Sequence, residues 1–187
     1  MNIVKMNVPL YLQIWENNIK LTDTRTRRSV EVAPVVAVKR RGSSQKVVEI
    51  GSAAELFEGK EGYEVFRPFA DPARFVANME IAEKIVRYLF KALGSRKLLK
   101  PLLIVHPMGQ YKNWVSSMEQ QFFTELGLSA GARDVVVYAG EEAEEFDFYA
   151  LKEREEVSAS IWVQRIAFVL LIGMAAAIVW YAYRQGG

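Results

Sequence analysis

His106 is the only histidine in 187 residues, and there is no cysteine. A thiolate metal site and a disulfide framework are therefore excluded, and neither a His pair for zinc nor a Cys–His nucleophile can be assembled. His106 closes the run Pro101-Leu102-Leu103-Ile104-Val105-His106-Pro107. It reads as a structural residue at a strand end, with an acid or ligand role as the alternative. Carboxylates, the remaining acid–base groups, are concentrated between Glu141 and Glu156, eight of them in sixteen residues. That crowding describes a solvated helix or linker, or an acidic docking segment for a basic partner, rather than a matched acid and base in a cleft. Trp15 and Trp114 could stack on an aromatic ligand, but core or partner-facing aromatics are the simpler reading. With no Gly-rich phosphate loop and no metal-ligand spacing, no catalytic residue, cofactor or metal is assigned, and an enzyme is not expected.

The basic residues suggest contacts instead of catalysis. With 24 Lys plus Arg against 22 Asp plus Glu, the net charge of +2 gives no reason to expect nucleic-acid binding. Arg25, Arg27 and Arg28, with Lys39, Arg40 and Arg41, are expected near each other at strand ends. There they could meet a protein partner or anionic lipid, or stand as ordinary surface charge. Lys84, Arg87 and Lys91 share the outer side of a helix with Glu80 and Glu83, a third place for a partner.

The elements that carry these residues are legible from periodicity. VPLYLQIW, IKLTDT, SVEVAPVVAVKR and KVVEIG read as four β-strands in a meander. Ser52 and Glu55 have the spacing of a capping box that opens a short helix to Phe57, and EVFRPF returns to an extended stretch. After Asp71-Pro72, apolar residues from Phe75 to Leu93 recur at three- and four-residue steps, which predicts a helix over 73–93. PLLIVHP predicts a strand buried on both faces. A second helix is expected over 110–126 with Val115, Met118, Phe122 and Leu126 inward, broken by Gly127 and Gly131, before the strand DVVVYAG. The order describes an α/β domain with a mixed sheet.

Residues 166–183, IAFVLLIGMAAAIVWYAY, form an uncharged apolar run. A bilayer core of about 30 Å takes roughly 20 helical residues, so this run is expected to span a membrane. Trp180, Tyr181 and Tyr183 suit the headgroup level. Lys152, Arg154 and Arg165 precede the span and Arg184 follows it, which places the N-terminal side in the cytoplasm. Gly173 and Ala177 form a small-xxx-small pair that would let two such helices pack as a homodimer. The expected organisation is a domain over 1–140, an acidic linker over 141–157 and an anchor over 158–187.

The succession APVVAV (Ala33–Val38), VVEIGSAAELFEG (Val47–Gly59), FRPFAD (Phe66–Asp71), LLIVHPMG (Leu102–Gly109) and GLSAGARDVVVY (Gly127–Tyr138) resembles the first subdomain of the bacterial actin-like MreB family. The likeness covers about residues 10–140 in order and spacing. It implies an actin-like, ribonuclease H-like subdomain with a mixed sheet flanked by helices. It also implies departures. Where the family has a D-L-G-T-A-N phosphate loop, this chain has Gln13-Ile14-Trp15-Glu16-Asn17-Asn18, without glycine. The position of the family's water-activating glutamate falls on Trp114, and the chain turns to its apolar run where the family continues into a second half. The resemblance thus implies a non-enzymatic, tail-anchored scaffold or adaptor on the cell-shape cytoskeleton, at the inner face of the bacterial inner membrane. A component of a pilus or type II secretion assembly platform is the alternative, and a nucleotide-dependent enzyme the remote one.

Overall fold

Pro34 divides the β-rich N-terminal stretch between two sheets. The computed structural model describes residues 9–41, 44–70, 79–94, 100–109, 116–141 and 148–153. In it the run expected as one strand over 29–40 is two, β3 (Ser29–Val32) and β4 (Val36–Arg41). Proline has no amide hydrogen to offer a ladder. Around it the chain turns tightly, with Val35 N–H donating to the Ala33 carbonyl at 2.8 Å. The expected four-strand meander is thereby corrected to three antiparallel strands, β1 (Leu10–Ile14), β2 (Ile19–Asp23) and β3. Beyond Pro34, β4 lies between β5 (Ser44–Ile50) and β6 (Tyr63–Phe66) in a separate antiparallel sheet, bulged at Ala37/Val38.

Between β5 and β6 the expected short helix is a 3-10 helix, Ser52–Phe57. The capping box read from Ser52 and Glu55 does not form. The N-cap is Gly51 at φ 105°, so Ser52 already lies inside the helix, where its hydroxyl has no free amide to receive.

The main sheet has the order β3-β2-β1-β7-β8, with β7 (Leu102–Pro107) and β8 (Asp134–Val137) parallel to β1. Both central strands are buried along their whole length, as the unbroken apolar run of β7 predicts. Helix α1 (Met79–Leu93) turns Ala82, Ile85, Val86, Leu89 and Leu93 inward on the expected face. They join Leu12, Ile14, Leu21, Leu103 and Val105 in one core.

Helix α2 (Ser117–Ala130) differs from its expected bounds and buries Phe122 and Leu126 as expected, while Val115 lies outside the described residues. A capping box at Ser116 and Glu119 sets its start: Glu119 N–H donates to Ser116 Oγ and Ser116 N–H to Glu119 Oε2. Gly127 does not break it. A Cβ there would lie 2.7 Å from Val135 Cγ2 and 2.9 Å from Leu103 Cδ2, so this glycine lets the helix press against β7 and β8. The helix ends at Gly131, left-handed at φ 114°. Met118, expected inward, is 70% exposed, and Phe123 is buried instead, edge-on to Phe122.

The chain divides into two units, Met1–Phe148 and Tyr149–Gly187, and everything above belongs to the first. Among the described residues no helix is long and apolar enough to cross a membrane. The expected span over 166–183, with Gly173 and Ala177, lies outside the described residues, as do most of the acidic stretch and Trp114.

Candidate functional site

The connection between β1 and β2 is Trp15-Glu16-Asn17-Asn18, the loop aligned above with a phosphate loop. It closes on itself. Trp15 N–H donates to the Asn18 carbonyl at 2.8 Å, and the Asn18 side-chain amide bonds the Glu31 carboxylate on β3. A phosphate cradle needs several backbone N–H groups turned toward the anion together. Here one is engaged within the hairpin, and no glycine allows the remainder a left-handed turn. Gly109, left-handed at φ 63°, brings the end of β7 against this loop: a Cβ there would lie 3.4 Å from Glu16 Oε1 and 3.8 Å from Trp15 Cδ1. A carboxylate and an indole therefore stand where backbone would have to meet phosphate, and the carboxylate repels it.

Next to the loop is a cavity of about 310 Å³ lined by Glu16, Asn17, Ala33, Pro34, Glu55 and Arg67 among others. Its guanidinium is already paired. Arg67 Nη2 lies 2.8 Å from Glu58 Oε2 and 3.6 Å from Glu55 Oε1. The Arg67 hydrogen bond and charge hold the Glu58 carboxyl below its usual range. With Glu16 and Glu55 on the wall and the one arginine neutralised, the cavity does not favour a polyphosphate. Among the described residues no group of three or more His, Asp or Glu could hold a metal ion.

Beneath the loop lies a buried polar cluster. Gln13, read above as part of the loop, is a strand residue, 2% exposed and the register partner of His106. His106 is fully buried. Its Nε2 lies 3.0 Å from the Gly140 carbonyl and its Nδ1 2.5 Å from the Tyr11 hydroxyl. A carbonyl can only accept, so Nε2 carries the hydrogen, and in the neutral ring Nδ1 accepts from Tyr11. Tyr138 stands edge-on to the imidazole at 4.9 Å between centroids, and its hydroxyl donates to the Glu141 carbonyl at 3.0 Å. The cluster ties the chain after β8 to β1 and β7. The signal for it was the alternation in β1, which puts Tyr11 and Gln13 together on the face opposite Leu10, Leu12 and Ile14.

The basic residues lie on different elements. Arg25, Arg27 and Arg28 belong to the β2–β3 turn of the main sheet, whereas Lys39, Arg40 and Arg41 end β4 in the other sheet. The two groups thus flank the β3–β4 path, one before β3 and one at the end of β4. The β2–β3 turn is built around Asp23, whose Oδ1 accepts from the N–H groups of Arg25 and Thr26. Partial burial opposes ionisation of Asp23, but these bonds and the Arg25 charge outweigh it and hold its carboxyl below the usual value. Arg27 adopts φ 59° there. Arg40 pairs with Glu64 at 3.1 Å. On α1, Lys84 pairs with Glu80 at 2.5 Å and Arg87 with Glu83 at 2.6 Å. Arg87 also donates to the Ser129 carbonyl at the end of α2, so it is partly a helix–helix fastener. Lys91 is exposed.

Two solved structures share this arrangement of elements. A non-polymerising mutant of MamK bound to AMPPNP superposes with a TM-score of 0.55 at 12% identity, over 70% of this chain and 40% of that one. MreB5 of Spiroplasma citri bound to ADP gives 0.53 at 16% identity, over 70% and 38%. The fold is actin-like. This chain spans about two-fifths of the length of either structure. No protein-family model matches the sequence, and no curated protein sequence matches it. The expectation of an actin-like domain with a mixed sheet thus holds at the level of fold.

Proposed function

We propose that this chain is a non-enzymatic, actin-like adaptor held at a membrane by its tail, docking on a protein assembly such as the cell-shape cytoskeleton. The observation that carries this reading is the β1–β2 loop, closed by its own Trp15–Asn18 bond, without glycine, and with the Glu16 carboxylate set against Gly109. A domain of this fold without a phosphate cradle offers surfaces rather than chemistry. The uncharged run over 166–183 supports membrane attachment, with the domain on the cytoplasmic side of a bacterial inner membrane.

Ligand-linked stabilisation follows RT ln(1 + [L]/Kd), so a millimolar nucleotide that binds even weakly raises the unfolding temperature. Thermal unfolding of the full chain in detergent with ATP and magnesium is expected to match that without them. A reproducible rise of several degrees would contradict the adaptor reading and return the cavity beside Glu16 to consideration as a nucleotide site.

A further inference from the structure

We propose that the free end of the β4–β5–β6 sheet is a lysine–aromatic face that docks on an anionic lipid surface. Lys39 and Lys46 are register partners across β4 and β5, an arrangement of like charges that weakens strand pairing and persists here. Lys39 Nζ sits over the Tyr63 ring at 5.2 Å and Lys60 Nζ over the Phe57 ring at 4.9 Å, and the two rings lie 5.0 Å apart. Two ammonium groups thus stand on one pair of aromatic rings, and a third, Lys46, is on the strand beside Lys39. No carboxylate of the described residues pairs with Lys39, Lys46 or Lys60, because the nearby acids are committed elsewhere: Glu64 to Arg40, Glu55 and Glu58 to Arg67. Glu49 lies across from Ala37, at the half of the face that the 3-10 helix covers. Against three lysines only Glu61 remains in the adjoining turn.

The chemistry favours lipid over an acidic protein. Carboxylates at fixed positions are matched by the planar fork of arginine, and Arg40 and Arg67 are engaged; lysine ammonium groups are hydrated point charges that suit a surface of many mobile anions. Leu56, beside Phe57, is 71% exposed, and Val48 on β5 is 37% exposed. Exposed apolar groups in the segment that carries the lysines suit the boundary between headgroups and acyl chains. Three lysines near an anionic bilayer correspond to an occupancy increase on the order of 100-fold over a neutral one. This inference rests on the reading that the chain is held at a membrane, and it adds which face turns to the lipid.

The absence of cysteine permits a single label on the full chain, at Gln45→Cys, exposed and uncharged beside Lys46. Quenching of a fluorophore there by headgroup-labelled lipid is compared in vesicles of phosphatidylcholine alone and with phosphatidylglycerol. The expected result is strong quenching only in the anionic vesicles, reversed by high salt. It should fall to the neutral level in Lys39→Gln/Lys46→Gln/Lys60→Gln and persist in Arg25→Gln/Arg28→Gln/Lys91→Gln, which removes the same charge elsewhere. Equal quenching in both vesicles, or anion-dependent quenching that survives the first triple variant, overturns the proposal. So does an equal response to soluble polyglutamate without vesicles, which would assign the face to an acidic protein. Flotation with phosphatidylcholine vesicles reads the tail separately. If the chain fails to float, the anchor reading falls, while the label comparison, with chain added to preformed vesicles, still decides the face.

Discussion

Removing residues 157–187 should move the chain from the membrane pellet to the supernatant as folded protein. The apolar run at 166–183 is removed with them, and insertion of such a run is effectively irreversible, so the redistribution should be near complete rather than partial. The remaining part should fold, because the unit Met1–Phe148 holds its own core, built from α1, α2 and the five-stranded sheet. A lysine face of the kind inferred above would leave only a residual, salt-sensitive attachment to anionic lipid. Sedimentation after a high-salt wash checks this. A truncated chain that still pellets would place the anchor elsewhere and contradict the account of the tail.

His106→Ala should lower stability by about 3–5 kcal/mol. The substitution opens a cavity in a fully buried site, and it removes the buried bonds to the Tyr11 hydroxyl and the Gly140 carbonyl. For a chain of this size the loss corresponds to roughly 6–20 °C in thermal midpoint. Tyr11→Phe removes only the hydroxyl and should cost about 1–3 kcal/mol by taking away its buried bond to Nδ1. Midpoints of both variants, followed by tryptophan fluorescence, check the ranking. If His106→Ala unfolds within about 1 kcal/mol of the parent, the cluster does not fasten the chain beyond β8 to the sheet.

The elements that could be read in advance were those whose pattern depends on one buried face. The α1 stripe from Ala82 to Leu93 and the unbroken apolar run of β7 survive because burial of the matching face decides them. The errors came where a local signal competed with tertiary packing. Gly127 reads as a breaker, yet the close approach of α2 to Val135 and Leu103 outweighs its poor helix propensity. Pro34 stands inside an apolar run that reads as a single strand, and the missing amide hydrogen redirects it into a second sheet. The Ser52–Glu55 spacing was a false cap and Ser116–Glu119 a true one, a distinction set by which serine precedes the first helical residue.

At the candidate site, the resemblance singled out the β1–β2 loop, and its lack of glycine pointed away from a phosphate cradle. The buried group beneath it was not legible as a group. Tyr11, Gln13, His106 and Gly140 meet only because β1 and β7 pair in parallel across more than ninety residues of chain, which no local window contains. Similarly, the pairing of Lys39 with Lys46 depends on β-register rather than on charge runs.

Amine-reactive crosslinking of the full chain in native membranes, with the joined peptides identified by mass spectrometry, tests the central claim most directly. Lys91 on α1 is exposed, and Lys84 beside it is partly so. The adaptor account predicts links from these lysines to a recurring second protein, cytoskeletal or from an envelope assembly, with no dependence on added nucleotide. Links confined to this chain alone, or links that appear only with ATP, would contradict it.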